Sequence, residues 1–130
     1  MNDHEKSVFL AKAMNWQLEF GGNPLSDQTK YIYLVWGGDK AKNVDGHMIG
    51  FLKTVPVDME LDDIFFPDLF FEQRNAYFIL WAIRWGYEQI PGFKKWLDEP
   101  GSLWIVVLGT TGLNVTMNTL IEEVRKNADT

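Results

Sequence analysis

The segment between Pro67 and Pro91 constrains this chain more than any other part of it. A helix is expected to start near Pro67-Asp68 and to end before Pro91, since proline suits the first turn of a helix and breaks its interior. At about 100° per residue, Ala76, Ile79, Leu80, Ile83, Tyr87 and Ile90 share one side, the expected core face. Tyr77, Phe78, Trp81 and Trp85 take the other side, with Arg74, Arg84 and Glu88 among them. A helix apolar on both sides needs a covering layer on each. The second layer comes either from the same chain or from another molecule. Trp, Tyr and Arg dominate interface energetics, so Arg74, Tyr77, Phe78, Trp81, Arg84 and Trp85 form a candidate interface.

The approach to this helix is acidic. Thr54–Gln73 holds six carboxylates (Asp58, Glu60, Asp62, Asp63, Asp68 and Glu72) and no Lys or Arg. The chain has 18 acids and 12 bases, so this one segment accounts for the whole net charge of −6. Carboxylates ahead of a helix favour its dipole, and charge runs are often only solvated faces. Asp58, Glu60, Asp62 and Asp63 are also a candidate surface for a basic partner. A Ca²⁺ or Mg²⁺ site needs converging oxygens, and the spacing matches no known metal loop, so no metal is expected. The acidic balance disfavours direct binding to nucleic-acid phosphates.

The remaining elements imply the fold class. Asn2 or Asp3 caps a first helix, with Glu5 three residues beyond Asn2 as in a capping box. Phe9, Leu10, Ala13, Met14 and Trp16 continue its stripe, and Gly21-Gly22-Asn23-Pro24 is expected to end it. Tyr31–Trp36 and His47–Val55 read as two strands of an antiparallel hairpin around a long polar loop, Gly37–Gly46. Val57, Met59 and Leu61 alternate with Asp58, Glu60 and Asp62, as in a half-buried strand or an extended approach to the next helix. Phe93, Trp96 and Leu97 form a short helical turn, Leu103–Leu108 an apolar strand, and Leu113 to Val124 a last helix. At 130 residues, the chain is expected to form a single layered α+β domain over residues 1–130. Its antiparallel sheet would have three to four strands, packed against two to three helices.

Catalytic signals are sparse. There is no Cys, and the two histidines, His4 and His47, show no paired metal spacing. Gly109, Thr110, Thr111 and Gly112 form a strand-to-helix turn whose backbone N–H groups could cradle phosphate, though no nucleotide-binding fingerprint is present. No cofactor is expected. The N-terminus does not read as a signal peptide, and the longest apolar run, Ala76–Ile83, falls well short of a membrane span. A cytoplasmic protein fits these features.

Three stretches carry a resemblance: Leu10–Trp16 (LAKAMNW), Asp68–Trp85 (DLFFEQRNAYFILWAIRW) and the C-terminal helix. Their order resembles a family of small phage and prophage proteins described as ABA sandwiches. Asn15-Trp16 stands where that family has Gly-Trp, and Phe70 where it has Tyr. The resemblance implies a layered fold of helices and sheet and a mobile-element origin. It brings no activity and no functional residues.

The sequence therefore points to a small acidic binding or inhibitor-type protein without catalysis, whose partner presents a basic or apolar surface. Two alternatives stand beside it. One is a ligand-binding or enzymatic domain built on Gly109–Gly112 with His47 or the acidic strip. The other is the subunit of a structural homo-oligomer.

Overall fold

Asn2 starts the first helix by the reciprocal contacts its spacing implies. Its side-chain oxygen accepts from the Glu5 N–H at 2.8 Å, and its own N–H donates to the Glu5 carboxylate at 3.2 Å. Helix α1 (Asp3–Ala13) ends earlier than the apolar stripe suggests. Asn15 adopts a left-handed conformation at φ 62° and donates its N–H to the Lys12 carbonyl at 3.1 Å. Asn tolerates that region better than most residues, because its short side chain can bond locally. The chain then leaves as a strand, β1 (Trp16–Gly22), where a continued helix was expected. Its period of two is plain in Trp16, Leu18 and Phe20 against exposed Gln17 and Glu19.

The computed structural model describes residues 1–64, 75–102 and 109–128. Among them the chain is α+β, with one three-stranded antiparallel sheet in the order β1-β2-β3 and four α-helices. Strands β2 (Thr29–Asp39) and β3 (Val44–Pro56) are longer than the sequence indicates, and they take in most of the expected loop. Only a short 3-10 turn, Lys40–Lys42, joins them with Asn43, capped by the Asp39 carboxylate on the Ala41 N–H at 3.1 Å. Asn15 supports this extension. Its side-chain amide donates to the Gly38 carbonyl at 2.9 Å, and its carbonyl accepts from the Gly37 N–H at 2.8 Å. Gly38 itself has φ +86°, and a Cβ there would lie 2.4 Å from the Val44 carbonyl oxygen. Glycine is the residue that meets both conditions.

Within the acidic segment, residues 57–64 are not a strand. Val57 donates its N–H to the Gln28 carbonyl at 3.0 Å, and the Lys30 ammonium donates to the Met59 carbonyl. The chain thus crosses the end of the sheet opposite the β2–β3 turn. A 3-10 turn, Leu61–Asp63, then lies against β1.

Ala11–Pro67 forms one compact body, and Met1–Leu10 with Asp68–Thr130 forms the other. The second body contains α2 (Asn75–Gln89), α3 (Pro91–Asp98) and α4 (Gly109–Ala128). The expected start of α2 near Pro67-Asp68 and the expected strand Leu103–Leu108 lie outside the described residues. Phe78, Ile79, Ala82 and Ile90 of α2 are buried, as are Phe93 of α3 and Met117, Leu120 and Ile121 of α4. This rotates α2 relative to the sequence reading. Phe78, assigned to the outer face, is 1% exposed, and Leu80, assigned to the core, is 66% exposed. Small residues set the rotation: a Cβ on Gly86 would lie 2.5 Å from Leu120 and 2.8 Å from Phe93. The helix packs along its Ala82-Gly86 line, where the backbone can come close, rather than along its line of largest side chains.

Candidate functional site

The register of the sheet sorts its side chains onto two faces. Trp16, Leu18 and Phe20 of β1 pair with Trp36, Leu34 and Ile32 of β2 and share one face. Trp16, Ile32, Leu34 and Val55 are buried there. Lys30, paired with Val55, sets its ammonium 3.5 Å from the centre of the Phe20 ring. The opposite, outer face carries Tyr31, Tyr33 and Val35 on β2, paired with Thr54, Phe51 and Met48 on β3.

This outer face is aromatic, with Val35 buried, Tyr31 and Tyr33 half-buried, and the β3 side exposed. Phe51 lies edge-to-face with Tyr31 at 5.4 Å and with Tyr33 at 6.1 Å between ring centres. Tyr31 and Tyr33 meet edge-to-face at 6.1 Å. The Tyr33 ring occupies the space a Cβ on Gly21 would need. The Tyr31 hydroxyl donates to the Asn23 side-chain oxygen at 2.9 Å, which fixes that ring's tilt. Exposure remains high nonetheless: 43% for Phe51, 57% for Met48 and 45% for Val44, all on this face of β3. Two register irregularities in β3, at Ile49 and Leu52, bring Met48 and Phe51 to the same side despite their odd spacing.

Charge is unevenly spread along the same body. The β2–β3 turn end carries Lys40 and Lys42 with Asp39 and Asp45, a formal balance of zero. Lys42 and Asp39 lie 3.8 Å apart. The opposite end carries Asp27, Asp58, Glu60, Asp62 and Asp63 with Lys30, a balance of −4. All five of those carboxylate residues except Asp27 come from the expected acidic surface, and Asp58, Glu60, Asp62 and Asp63 are exposed. Among the described residues, no three His, Asp or Glu side chains are grouped as a metal ion would need.

The other expected sites are dispersed. Arg74 and the side chain of Tyr77 lie outside the described residues. Phe78 belongs to the core and leaves the candidate interface. Trp81 and Trp85 are half-buried, while Arg84 is exposed and pairs with Glu88 at 3.2 Å, one helical turn along. Gly109, Thr110, Thr111 and Gly112 are not a free turn. They are the first turn of α4, and the Gly112 carbonyl accepts the Thr116 hydroxyl at 2.8 Å. His47 is exposed on β3 and sits edge-on to Trp36 at 5.2 Å.

One ionic cluster stands on the helical body. Asp98 accepts from the Lys94 ammonium at 2.9 Å and from the Tyr87 hydroxyl at 3.0 Å. The Lys94 hydrogen bond, reinforced by Tyr87, holds the Asp98 carboxyl below the usual carboxylate range. The Asp98 hydrogen bond and charge hold Lys94 above its usual value. The group is exposed on a shallow surface depression over α3, and its members are already satisfied by one another. It reads as a surface clamp between α2 and α3.

Comparison with known proteins finds no match: no family model fits the chain, and no curated protein or solved structure resembles it closely enough to count. No described helix is long and apolar enough to cross a membrane.

The sequence reading missed the outer sheet face. Its signal was present in Tyr31, Tyr33 and Phe51, but the two irregularities in β3 hide the alternation that would have grouped Met48 and Phe51 with them.

Proposed function

We propose that this chain is a small, acidic, non-catalytic binding protein that meets a protein partner through the outer face of its sheet. One observation carries the reading: Tyr31, Tyr33 and Phe51 form a mutually packed aromatic cluster on the sheet, and Phe51 and neighbouring Met48 remain about half exposed. Large aromatic and methionine side chains in one patch are the composition of interface centres, and monomeric proteins seldom leave such patches bare. The acidic end of the sheet favours a partner with basic groups around an apolar centre.

The test places a photo-crosslinking amino acid at position 48 of the full chain in its host and identifies adducts by mass spectrometry. A protein adduct at position 48, absent when the label is moved to exposed Lys12, supports the reading. Equal capture at the two positions, or none at either, overturns it.

A further inference from the structure

We propose that Met48 is a reversible oxidation site that turns the outer sheet face from apolar to polar. The proposal rests on the binding reading above and gives that face its regulation. Its basis is where the chain places its sulfur. There is no Cys, so no thiol of the chain competes for an oxidant, and the five sulfur atoms belong to Met1, Met14, Met48, Met59 and Met117. Met14 is 2% exposed and Met117 is 0% exposed. Met59 is half-buried, and its carbonyl accepts from the Lys30 ammonium. Met48 is 57% exposed, more than the 48% of Met1. Access to the sulfur governs its oxidation, so a hydroperoxide reaches Met48 well before either core methionine.

The position gives the reaction its effect. Met48 stands directly across from buried Val35. Side chains so opposed hold their Cβ atoms about 4.5–5.5 Å apart. On the same face, Phe51 packs edge-to-face with Tyr31 and Tyr33. As a thioether, Met48 suits the centre of an interface, being flexible, apolar and polarisable. As a sulfoxide it places a polar oxygen beside apolar neighbours. A partner that covers this oxygen strips it of water, and an unpaired buried polar group weakens association by about 10–100-fold. A bound partner also shields Met48, so the free chain is the form that is oxidised.

The chemistry is balanced in both directions. A sulfur lone pair attacks one oxygen of the hydroperoxide, and the S–O bond forms as the O–O bond breaks. The other oxygen keeps the proton and leaves as water or an alcohol. Sulfur is oxidised and the peroxide reduced. A thiol-dependent sulfoxide reductase reverses the change: a thiol pair is oxidised to a disulfide, and the sulfoxide oxygen leaves as water.

Peptide mapping of the full chain during a hydrogen peroxide titration tests the site. Sulfoxide should form at Met48 at least about tenfold faster than at Met14 or Met117, and a sulfoxide reductase with dithiothreitol should remove it. Circular dichroism should show the chain folded throughout. The effect on binding is read with a photo-crosslinking amino acid at exposed Val44, on the same face, in host extract after catalase has removed the peroxide. The untreated chain should yield a protein adduct, the oxidised chain about tenfold less, and the re-reduced chain the full yield. Met48→Leu should crosslink equally before and after peroxide, which separates Met48 from Met1 and Met59. Met48→Gln, a permanently polar side chain of similar length, should behave as the oxidised chain. Oxidation of Met48 no faster than that of the core methionines overturns the proposal. So does an adduct yield indifferent to both peroxide and Met48→Gln, or one that peroxide lowers in Met48→Leu as it does in wild type. A selective Met48 sulfoxide in a chain whose untreated form gives no adduct at position 44 or 48 removes the binding reading, and the proposed regulation with it.

Discussion

Phe78 and Leu80 lie two positions apart on α2, and the rotation of that helix makes them opposite in consequence. Phe78 is 1% exposed and Leu80 is 66% exposed. Truncating a buried Phe to Ala removes its transfer free energy and leaves a cavity, at a cost of about 3–5 kcal/mol. The stability of a domain is about 5–15 kcal/mol in total, so Phe78→Ala should remove roughly a fifth or more of it. For a chain of 130 residues, each kcal/mol shifts the melting midpoint by about 3–5 °C. Phe78→Ala should therefore lower the midpoint by roughly 10–20 °C. Leu80→Ala deletes atoms that already face water, and its effect should stay within about 0.5 kcal/mol, or roughly 2 °C. Thermal unfolding followed by circular dichroism, repeated as urea titrations, measures both. If Leu80→Ala proves the more damaging, or if the two variants melt together, the helix is rotated the other way and the core described above is wrong.

Gly38→Ala should cost about 2–4 kcal/mol, because φ +86° is strained for any residue with a Cβ and that atom would lie 2.4 Å from the Val44 carbonyl oxygen. Gly22→Ala, whose Cβ meets nothing within 4 Å, should be neutral or stabilising by about 0.4–1 kcal/mol, and urea midpoints compare the two. Asp98 should titrate below an ordinary carboxylate by carboxyl-detected NMR, and Lys94→Met should return it upward, since the Lys94 hydrogen bond is the largest cause of the depression. Its folded pKa is depressed, so its contribution to stability is present above the ordinary carboxylate pKa and is lost as pH falls through the folded value. Lys94 is raised, so its contribution is complete below the ordinary lysine pKa and is lost as pH rises through the folded value.

Local chemistry was legible in the sequence wherever one residue type carries the signal. The Asn2–Glu5 capping pair, the strand character of Tyr31–Trp36 and His47–Val55, their antiparallel pairing and the helical turn at Phe93–Leu97 are all present in the structure. The end of α1 was not legible, because it turns on one left-handed Asn whose side chain is held by Gly38, 23 residues away. Val57–Asp62 alternates like a strand, yet the Val57 and Lys30 bonds to Gln28 and Met59 fold it across the sheet end. The face of α2 was misread because Ala82 and Gly86 contribute little to an apolar stripe but decide where backbones can approach. The candidate site suffered likewise: two extra residues in β3 broke the alternation that would have revealed it.

Hydroxyl-radical footprinting of the full chain, alone and mixed with an extract of its host, reads the outer sheet face directly. Met48 and Phe51 should be oxidised freely in the purified chain and protected in the extract, while exposed Leu80 and Leu25 react equally in both. Unchanged oxidation of Met48 and Phe51, or protection that appears at Leu80 instead, would contradict the assignment of that face as the interface.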